Sequence, residues 1–171
     1  MKIERGKTGP VKIEPRRAGP EEWPELAEVL MAARAAMPYL PALHTAEETR
    51  AFLRDVAGSH EVWAVALPLY GRLRIAGFAA IDDRPGETWL AHLYVHPALQ
   101  NHGLGDALLD AVKTQRPQGF SLWTFQENRS ARRFYEDRGL VCERLTEGRD
   151  NEEKLPDALY VWRGQQETIR P

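Results

Sequence analysis

The chain has 171 residues, of which 43% are apolar and 28% charged, and its formal net charge is −2. This length suffices for one domain with its own hydrophobic core, and the composition is typical of a water-soluble globular protein. The near-neutral charge balance argues against a nucleic-acid-binding surface, which needs a basic excess. No apolar stretch approaches the roughly 20 residues of a membrane-spanning helix, so we expect no membrane partner.

Residues 1–20 carry charges, glycines and prolines but no apolar block, unlike a secretory signal, so a cytoplasmic location is expected. Cys142 is the only cysteine, which excludes an internal disulfide and a Cys-rich metal site, and we expect no metal. We expect residues 1–10 to form a flexible tail, residues 11–163 one domain, and residues 164–171 a C-terminal tail.

The N-terminal part of the chain predicts one strand and two helices. Residues 11–16 favour a strand. Pro20 and the acids after it favour a helix start, and Met37-Pro38 should end this helix because a residue before proline avoids the helical conformation. Thr45, with Glu48 three residues later, predicts a capping box at the start of a second helix. The predicted buried face of that helix carries Phe52, Leu53 and Val56.

The rest of the chain alternates strands and helices. Three apolar segments joined by short turns predict an antiparallel meander: Glu61–Leu67, Leu73–Ile81 and Thr88–Val95. The later predicted elements are a helix from Gly103 to Pro117, a strand Phe120–Phe125, a helix Ser130–Arg138, and strands Leu140–Leu145 and Leu159–Trp162. The strand–helix–strand run from Thr88 to Phe125 implies a right-handed crossover and a parallel pair.

The segment Gln100–Gly105 carries the strongest chemical signal. A buried strand runs into a polar loop, and Gly103-x-Gly105 opens an amphipathic helix. A helix start presents unpaired backbone amides and the positive end of the helix dipole, and this combination binds phosphate. Glycines that only shape a turn are the alternative. A Rossmann-type dinucleotide site would need a third glycine where Leu108 stands, and a P-loop would need Gly-Lys-Ser or Gly-Lys-Thr.

A second segment, residues 128–140, follows the next strand, and together the two segments resemble the GNAT superfamily of N-acetyltransferases. The first family signature, Gln/Arg-x-x-Gly-x-Gly/Ala, is matched by Gln100, Gly103 and Gly105. The second, Asn-x-x-Ala-x-x-Phe-Tyr-Glu-x-x-Gly-Phe/Leu, is matched by Asn128, Ala131, Phe134, Tyr135, Glu136, Gly139 and Leu140. The predicted element order also fits, so the resemblance covers roughly residues 11–163.

The resemblance implies an α/β (α+β) fold, with a mixed, mostly antiparallel sheet of roughly six or seven strands flanked by about four helices. The fourth and fifth strands would run parallel and splay apart, and acetyl-CoA would enter the gap. Its pantetheine arm would pair with the backbone of Leu93, Tyr94 and Val95. Its pyrophosphate would bind Gln100, Asn101, His102, Gly103, Leu104, Gly105 and Asp106. The arm near the thioester would face Asn128, Ala131 and Phe134.

Two residues depart from the family pattern. His102 stands where the family often has Arg or Lys, and Asp106 where it often has Ser, Thr or Ala. An acid in the first turn can stabilise the helix, but it also repels phosphate. We therefore expect weaker pyrophosphate binding rather than its loss.

The resemblance implies transfer of an acetyl group from acetyl-CoA to a primary amine by direct attack in a ternary complex. An alkylamine has a pKa of about 10.4 and must lose a proton before it attacks. Tyr135 stands where the family places its general acid; a core aromatic beside Phe134 is the alternative. His92 is a candidate base, although strand alternation places His92 and Tyr94 on one face and Leu93 on the other unless a bulge intervenes.

Two segments are candidates for the border of the acceptor site: the apolar link Met37–Pro41 and the acidic loop 147–157. Packing over the core and a solvated loop are the respective alternatives. A non-catalytic GNAT-like module that binds acyl-CoA is the alternative function. The sequence does not name the amine, and the resemblance allows a homodimer.

Overall fold

The computed structural model describes residues 12–69 and 71–165, so Val11 and the predicted tails, apart from residues 164 and 165, lie outside the described residues. Within these ranges the chain forms seven strands and four α-helices. The strands are β1 Arg16–Arg17, β2 Glu61–Leu69, β3 Arg72–Arg84, β4 Glu87–Val95, β5 Phe120–Phe125, β6 Val141–Thr146 and β7 Asp157–Trp162. The helices are α1 Trp23–Ala35, α2 Ala46–Ser59, α3 Leu104–Gln115 and α4 Arg129–Glu136.

All the strands belong to one sheet, in the order β1-β2-β3-β4-β5-β7-β6. Every neighbouring pair is antiparallel except β4 and β5, which run parallel. These two strands share a single pairing position, Trp89 opposite Ser121, near the start of each strand. Beyond that position they diverge, which confirms the predicted mixed sheet with splayed fourth and fifth strands.

The helices cover both faces of the sheet, and the sheet separates the core into two layers. On one face, α1 and α2 pack against β2 and β3, with Leu26, Leu53 and Phe78 fully buried. On the other face, α3 packs through Leu108 and Leu109, and Tyr135 of α4 joins the same cluster. No helix in the described part of the chain is long and apolar enough to cross a membrane.

A bulge in β4 decides which face each side chain of that strand takes. Ala80 of β3 lies opposite His92 and Ile81 lies opposite Leu90, so Ala91 is one residue in excess. Leu90 therefore packs in the α3 layer, while His92 and Tyr94 share the face covered by α1 and α2. The bulge places His92 on the face opposite to Leu90.

Two local predictions are wrong. The described part of the predicted strand 11–16 pairs only at Arg16, because Pro15 has no amide hydrogen for the ladder. The strand β1 then continues to Arg17. Phe52 was expected on the buried face of α2, but it is 47% exposed and lies edge-on against the His92 ring. The capping box is confirmed: Glu48 N donates to Thr45 Oγ1 (3.2 Å) and Thr45 N donates to Glu48 Oε2 (2.7 Å).

Candidate active site

A cavity of about 510 Å³ lies at the carboxyl end of β4, beside the loop that follows β5. This volume is within the usual range for small-molecule sites. We call it the cofactor cavity; its walls come from the end of β4, the start of α3, the start of α4 and the link between α1 and α2. The residues predicted from the two motifs that line it are Leu93, Tyr94, Val95, Gln100, Asn101, Gly103, Leu104, Gly105, Asp106, Asn128, Ala131, Phe134 and Tyr135. The fold thus brings both motifs to one cavity.

The start of α3 forms one end of this cavity. Gly103 is the N-cap residue, in the left-handed region with φ 81°, and no side chain caps the helix. A Cβ at position 103 would approach only Ile13 Cδ1, at 3.9 Å, so the backbone conformation rather than crowding requires glycine. The first amides of a helix have no acceptor within it. These amides are therefore available to an anion in the cavity.

The second glycine of the loop serves packing between helices. A Cβ at Gly105 would lie 3.3 Å from Cε2 of Phe134, which is tighter than ordinary contact. The guanidinium carbon of Arg138 lies 3.8 Å from the centre of the same ring. Glycine at position 105 therefore lets α3 and α4 approach with Phe134 between them.

Arg138 is a cation of this site that the sequence analysis missed. Its Nε donates to Asp106 Oδ1 and its Nη1 donates to the carbonyl oxygen of Phe134 (2.9 Å). Asp106 and Arg138 both line the cofactor cavity. The ion pair offsets the acid at the helix start, which the sequence suggested would repel phosphate. The only local signal was the four-residue spacing between Phe134 and Arg138, which places both on one face of the predicted helix 130–138, although α4 ends at Glu136.

His102 is the predicted cofactor-binding residue whose side chain does not line the cavity. Its Nδ1 lies 2.8 Å from the carbonyl oxygen of Gln100. Since a carbonyl oxygen only accepts, Nδ1 carries the hydrogen in this contact. The imidazole is thus bonded to its own loop. His96 also holds this region, because its Nδ1 accepts from Ala98 N (3.2 Å).

Asn128 begins α4. Its Oδ1 accepts from the amide of Ala131 (3.2 Å) and from Ser130 Oγ (3.1 Å), the usual arrangement of an asparagine N-cap. Capping accounts for asparagine at this position of the motif. It also fixes the helix that carries Phe134 and Tyr135.

Tyr135 combines a buried ring with a place on the cavity wall. Its side chain is 7% exposed and packs against the rings of Phe134 and Tyr160, with centroids 5.3 and 5.9 Å away. Burial raises the pKa of its phenol, and Tyr94 raises it further. The hydroxyl therefore keeps its proton at physiological pH and can donate a hydrogen bond.

His92 lines a second, neighbouring cavity. Its ring centroid lies 5.4 Å from that of Phe52, 6.2 Å from that of Tyr94 and 6.3 Å from that of His60. Burial lowers the pKa of His92 to about 4, and the charges of His60 and Arg34 add to this effect. The imidazole is therefore neutral at pH 7 and only weakly basic.

The second cavity, which we call the acceptor cavity, has a volume of about 820 Å³. Its apolar lining residues include Leu30, Met31, Met37, Pro38, Leu40 and Phe52. At its border Arg34 forms an ion pair with Glu153 (2.9 Å), and His44 Nε2 lies 2.8 Å from Glu152 Oε1. Met37 and Tyr94 line both cavities, so the two meet there. The link 37–41 and part of the loop 147–157 thus border one cavity.

The chain is similar to known acetyltransferases. Residues 59–140 match a family model described as an acetyltransferase (GNAT) domain. No curated protein matches the chain. Among solved structures, the ribosomal-protein-S18-alanine N-acetyltransferase from Escherichia coli is 16% identical, with a TM-score of 0.69 over 94% of this chain and 99% of that chain.

Two further acetyltransferase structures share this fold. A GNAT-family acetyltransferase from Bacillus cereus is 14% identical, with a TM-score of 0.69 over 91% of this chain and 99% of that chain. The ribosomal L7/L12 alpha-N-protein acetyltransferase, solved in complex with coenzyme A, is 13% identical, with a TM-score of 0.67 over 90% of this chain and 94% of that chain. Identities this low show the shared fold alone.

Proposed function

The chain belongs to the GNAT superfamily, and on that premise we propose that it transfers an acetyl group from acetyl-CoA to a primary amine held in the acceptor cavity. One observation carries the proposal: the uncapped start of α3 at Gly103 opens into a cavity at the end of β4, where β4 no longer pairs with β5. That cavity meets a second, largely apolar one at Tyr94. A donor and an acceptor could therefore bind on either side of one reacting point.

The residues of the cofactor cavity fit coenzyme A. The diphosphate would bind the free amides at the start of α3, with Arg138 as the nearby cation. Beyond Trp89, no described residue pairs with β4 on its β5 side. Backbone groups of Leu93–Val95 can therefore bind an extended arm in the manner of an added strand. The thioester supplies an activated acyl carbon.

The acceptor cavity favours a primary amine with an apolar body. Most of its wall is apolar, and its acidic side chains are Glu48, Glu152 and Glu153. Glu153 is already paired with Arg34 and Glu152 contacts His44, so the apolar wall is the main influence on the amine, and it favours the neutral form that attacks. His92 is neutral there and can accept a hydrogen bond from the nitrogen. With a pKa of about 4, His92 is a poor final acceptor for the proton of an amine. We assign that acceptor role to solvent.

The departing thiolate needs a hydrogen-bond donor, and we assign this role to Tyr135. Because burial raises the pKa of Tyr135 and a free thiol has a pKa of about 8.5, full proton transfer from the phenol to sulfur is uphill. Donation of a hydrogen bond to the thiolate has no such penalty. The sulfur then takes its proton from water.

Two measurements test the proposal. Acetyl-CoA should raise the melting temperature of the protein, while NAD and ATP at the same concentration should not. Thiol release from acetyl-CoA should then depend on added amines, with acetyl-CoA alone as the blank. Binding without thiol release for any amine would favour the non-catalytic module, and stabilisation by NAD or ATP instead of acetyl-CoA would contradict the cofactor.

Tyr135→Phe should lower kcat by roughly 10–100-fold, because it removes the donor to the thiolate and keeps the packed ring. The Kd for CoA should stay within about twofold, since the ground-state thiol makes little use of that donor. Steady-state kinetics and calorimetry on the same preparations give both values. An unaltered kcat would remove Tyr135 from the chemistry.

A further inference from the structure

The hydroxyl of Tyr39 is the one buried side-chain oxygen or nitrogen without a hydrogen-bond partner among the described residues. Tyr39 lies in the link between α1 and α2, and its ring packs edge-on against Phe125 at the end of β5, with centroids 6.2 Å apart. Buried hydroxyls almost always have a partner, and leaving one unpaired costs stability. A ligand that supplies the missing partner would explain this residue.

Tyr39 lines the cofactor cavity, the same cavity that begins at Gly103. Its link also carries Met37, which with Tyr94 lines both cavities. If the diphosphate binds at the start of α3, the reacting end of the cofactor lies where the two cavities meet. Tyr39 is therefore placed at the thioester end and not at the diphosphate end.

The surroundings keep this hydroxyl protonated. Burial raises the pKa of Tyr39, Tyr94 and Glu127 raise it further, and Arg34 opposes them. Arg34 is itself paired with Glu153 (2.9 Å). Tyr39 thus presents a neutral O–H that can donate a hydrogen bond at the junction.

We propose that Tyr39 donates a hydrogen bond to the acyl oxygen of the thioester; this assignment rests on the proposed acetyl transfer. When the amine nitrogen attacks, a C–N bond forms and the carbonyl electron pair moves onto oxygen. As that pair returns, the C–S bond breaks, the thiolate leaves with its electrons, and the nitrogen releases one proton to solvent. Tyr39 keeps its own proton throughout and stabilises the charge that develops on oxygen.

The acyl oxygen fits better than the amine as the partner of Tyr39. Tyr39 belongs to the lining of the cofactor cavity and is not part of the acceptor cavity lining. A hydroxyl that has no hydrogen-bond partner in the free protein gains one only when acetyl-CoA is bound.

The first test measures stability without any ligand. Tyr39→Phe removes the unpaired hydroxyl and keeps the ring on Phe125, so Tm should rise by about 2–4 °C. The matched control is Tyr160→Phe, since Tyr160 Oη donates to Glu136 (2.5 Å) and accepts from Arg132 (3.1 Å). That variant should lose stability. A fall in Tm for Tyr39→Phe would show that its hydroxyl has a partner in the protein and would overturn the inference.

The second test is kinetic. Tyr39→Phe should lower kcat by about 100-fold, with the Kd for CoA, which lacks the acyl group, within about twofold of the wild type. An equal loss of CoA affinity would place the hydroxyl on the pantetheine arm and overturn the assignment. A wild-type chain that releases no thiol overturns the acetyl transfer and this inference together. A wild type that turns over beside an equally active Tyr39→Phe variant overturns only the role of Tyr39.

Discussion

His92 lies in surroundings that disfavour its charged form. Phe52 and Tyr94 pack against its ring, and His60 and Arg34 are the positive or titratable groups that face it. Burial is the main cause of its lowered pKa. The Ala91 bulge puts the imidazole in this layer, so a local irregularity of the strand determines the chemistry of one side chain.

The low pKa of His92 predicts a stability that depends on pH. The unfolded chain binds this proton near the ordinary pKa of 6.5, but the folded chain binds it only near pH 4. The free energy of unfolding therefore keeps its full value above pH 6.5, where the ring is neutral in both states. It decreases as the pH falls towards 4. At pH 4.5 the loss should be about 2.5 kcal/mol.

Urea unfolding of the wild type and of His92→Gln at pH 7.5 and pH 4.5 checks this prediction. Glutamine has a similar size and does not titrate, so the variant should lose less stability on acidification. Paired carboxylates contribute equally to both proteins, and the difference isolates His92. Equal losses in the two proteins would mean that the imidazole is not desolvated.

Helices α3 and α4 meet at the end of the cofactor cavity where the diphosphate is proposed to bind. Phe134 of α4 packs on Gly105 of α3, and Arg138 reaches back to Asp106 in the first turn of α3. Asp106 favours the helix start through the dipole but opposes an anionic ligand. Arg138, held over the Phe134 ring, can pair with either anion. The affinity for diphosphate should therefore depend on both helices.

Substitutions of Asp106 and of Arg138 should change the affinity for CoA in opposite directions. Asp106→Asn frees Arg138 and should tighten CoA binding by about fivefold, and Arg138→Met should weaken it by about as much, since an exposed charge contact contributes up to about 1 kcal/mol. Calorimetric titration with CoA at low salt gives both values.

The double variant Asp106→Asn with Arg138→Met is the control and should bind close to the wild type. High salt should reduce all of these differences. An Arg138→Met variant with wild-type affinity would show that the guanidinium takes no part in anion binding.

At the scale of the whole molecule, the gap between β4 and β5 has a closed end and an open end. The closed end is marked by the pair Trp89 and Ser121. Arg116, just before β5, donates to Asp83 at the end of β3 (2.5 and 3.0 Å) and to Glu61 at the start of β2 (3.0 Å). Its side chain is only 13% exposed. This cluster anchors the strand that must diverge at its other end.

Arg116→Met should therefore destabilise the fold by about 1–2 kcal/mol, between the values for exposed and buried ion pairs, because Glu61 and Asp83 lose their shared partner. Urea unfolding at pH 7 measures this. The control is Arg84→Met, which breaks an exposed pair with Asp82 (2.7 Å) and should cost less than about 0.5 kcal/mol. Equal costs would mean that the closed end does not depend on Arg116.

Local sequence patterns were sufficient for most of the elements. The capping box at Thr45 depends on neighbours within one turn, and so does the N-cap at Asn128. The glycine at 103 meets a backbone requirement of its own loop. The motif residues line one cavity because the order of elements brings their two segments to the same edge.

By itself, the sequence determined the succession of strands and helices, because periodicity, capping and turn chemistry act over a few residues, and its two motifs carried the resemblance to the GNAT superfamily. Only the tertiary structure decided that β7 lies between β5 and β6, that Arg138 pairs with Asp106, and that Tyr39 has a buried, unpaired hydroxyl. These features depend on contacts between segments far apart in the chain. Such contacts are set by how whole elements pack, which no local pattern encodes.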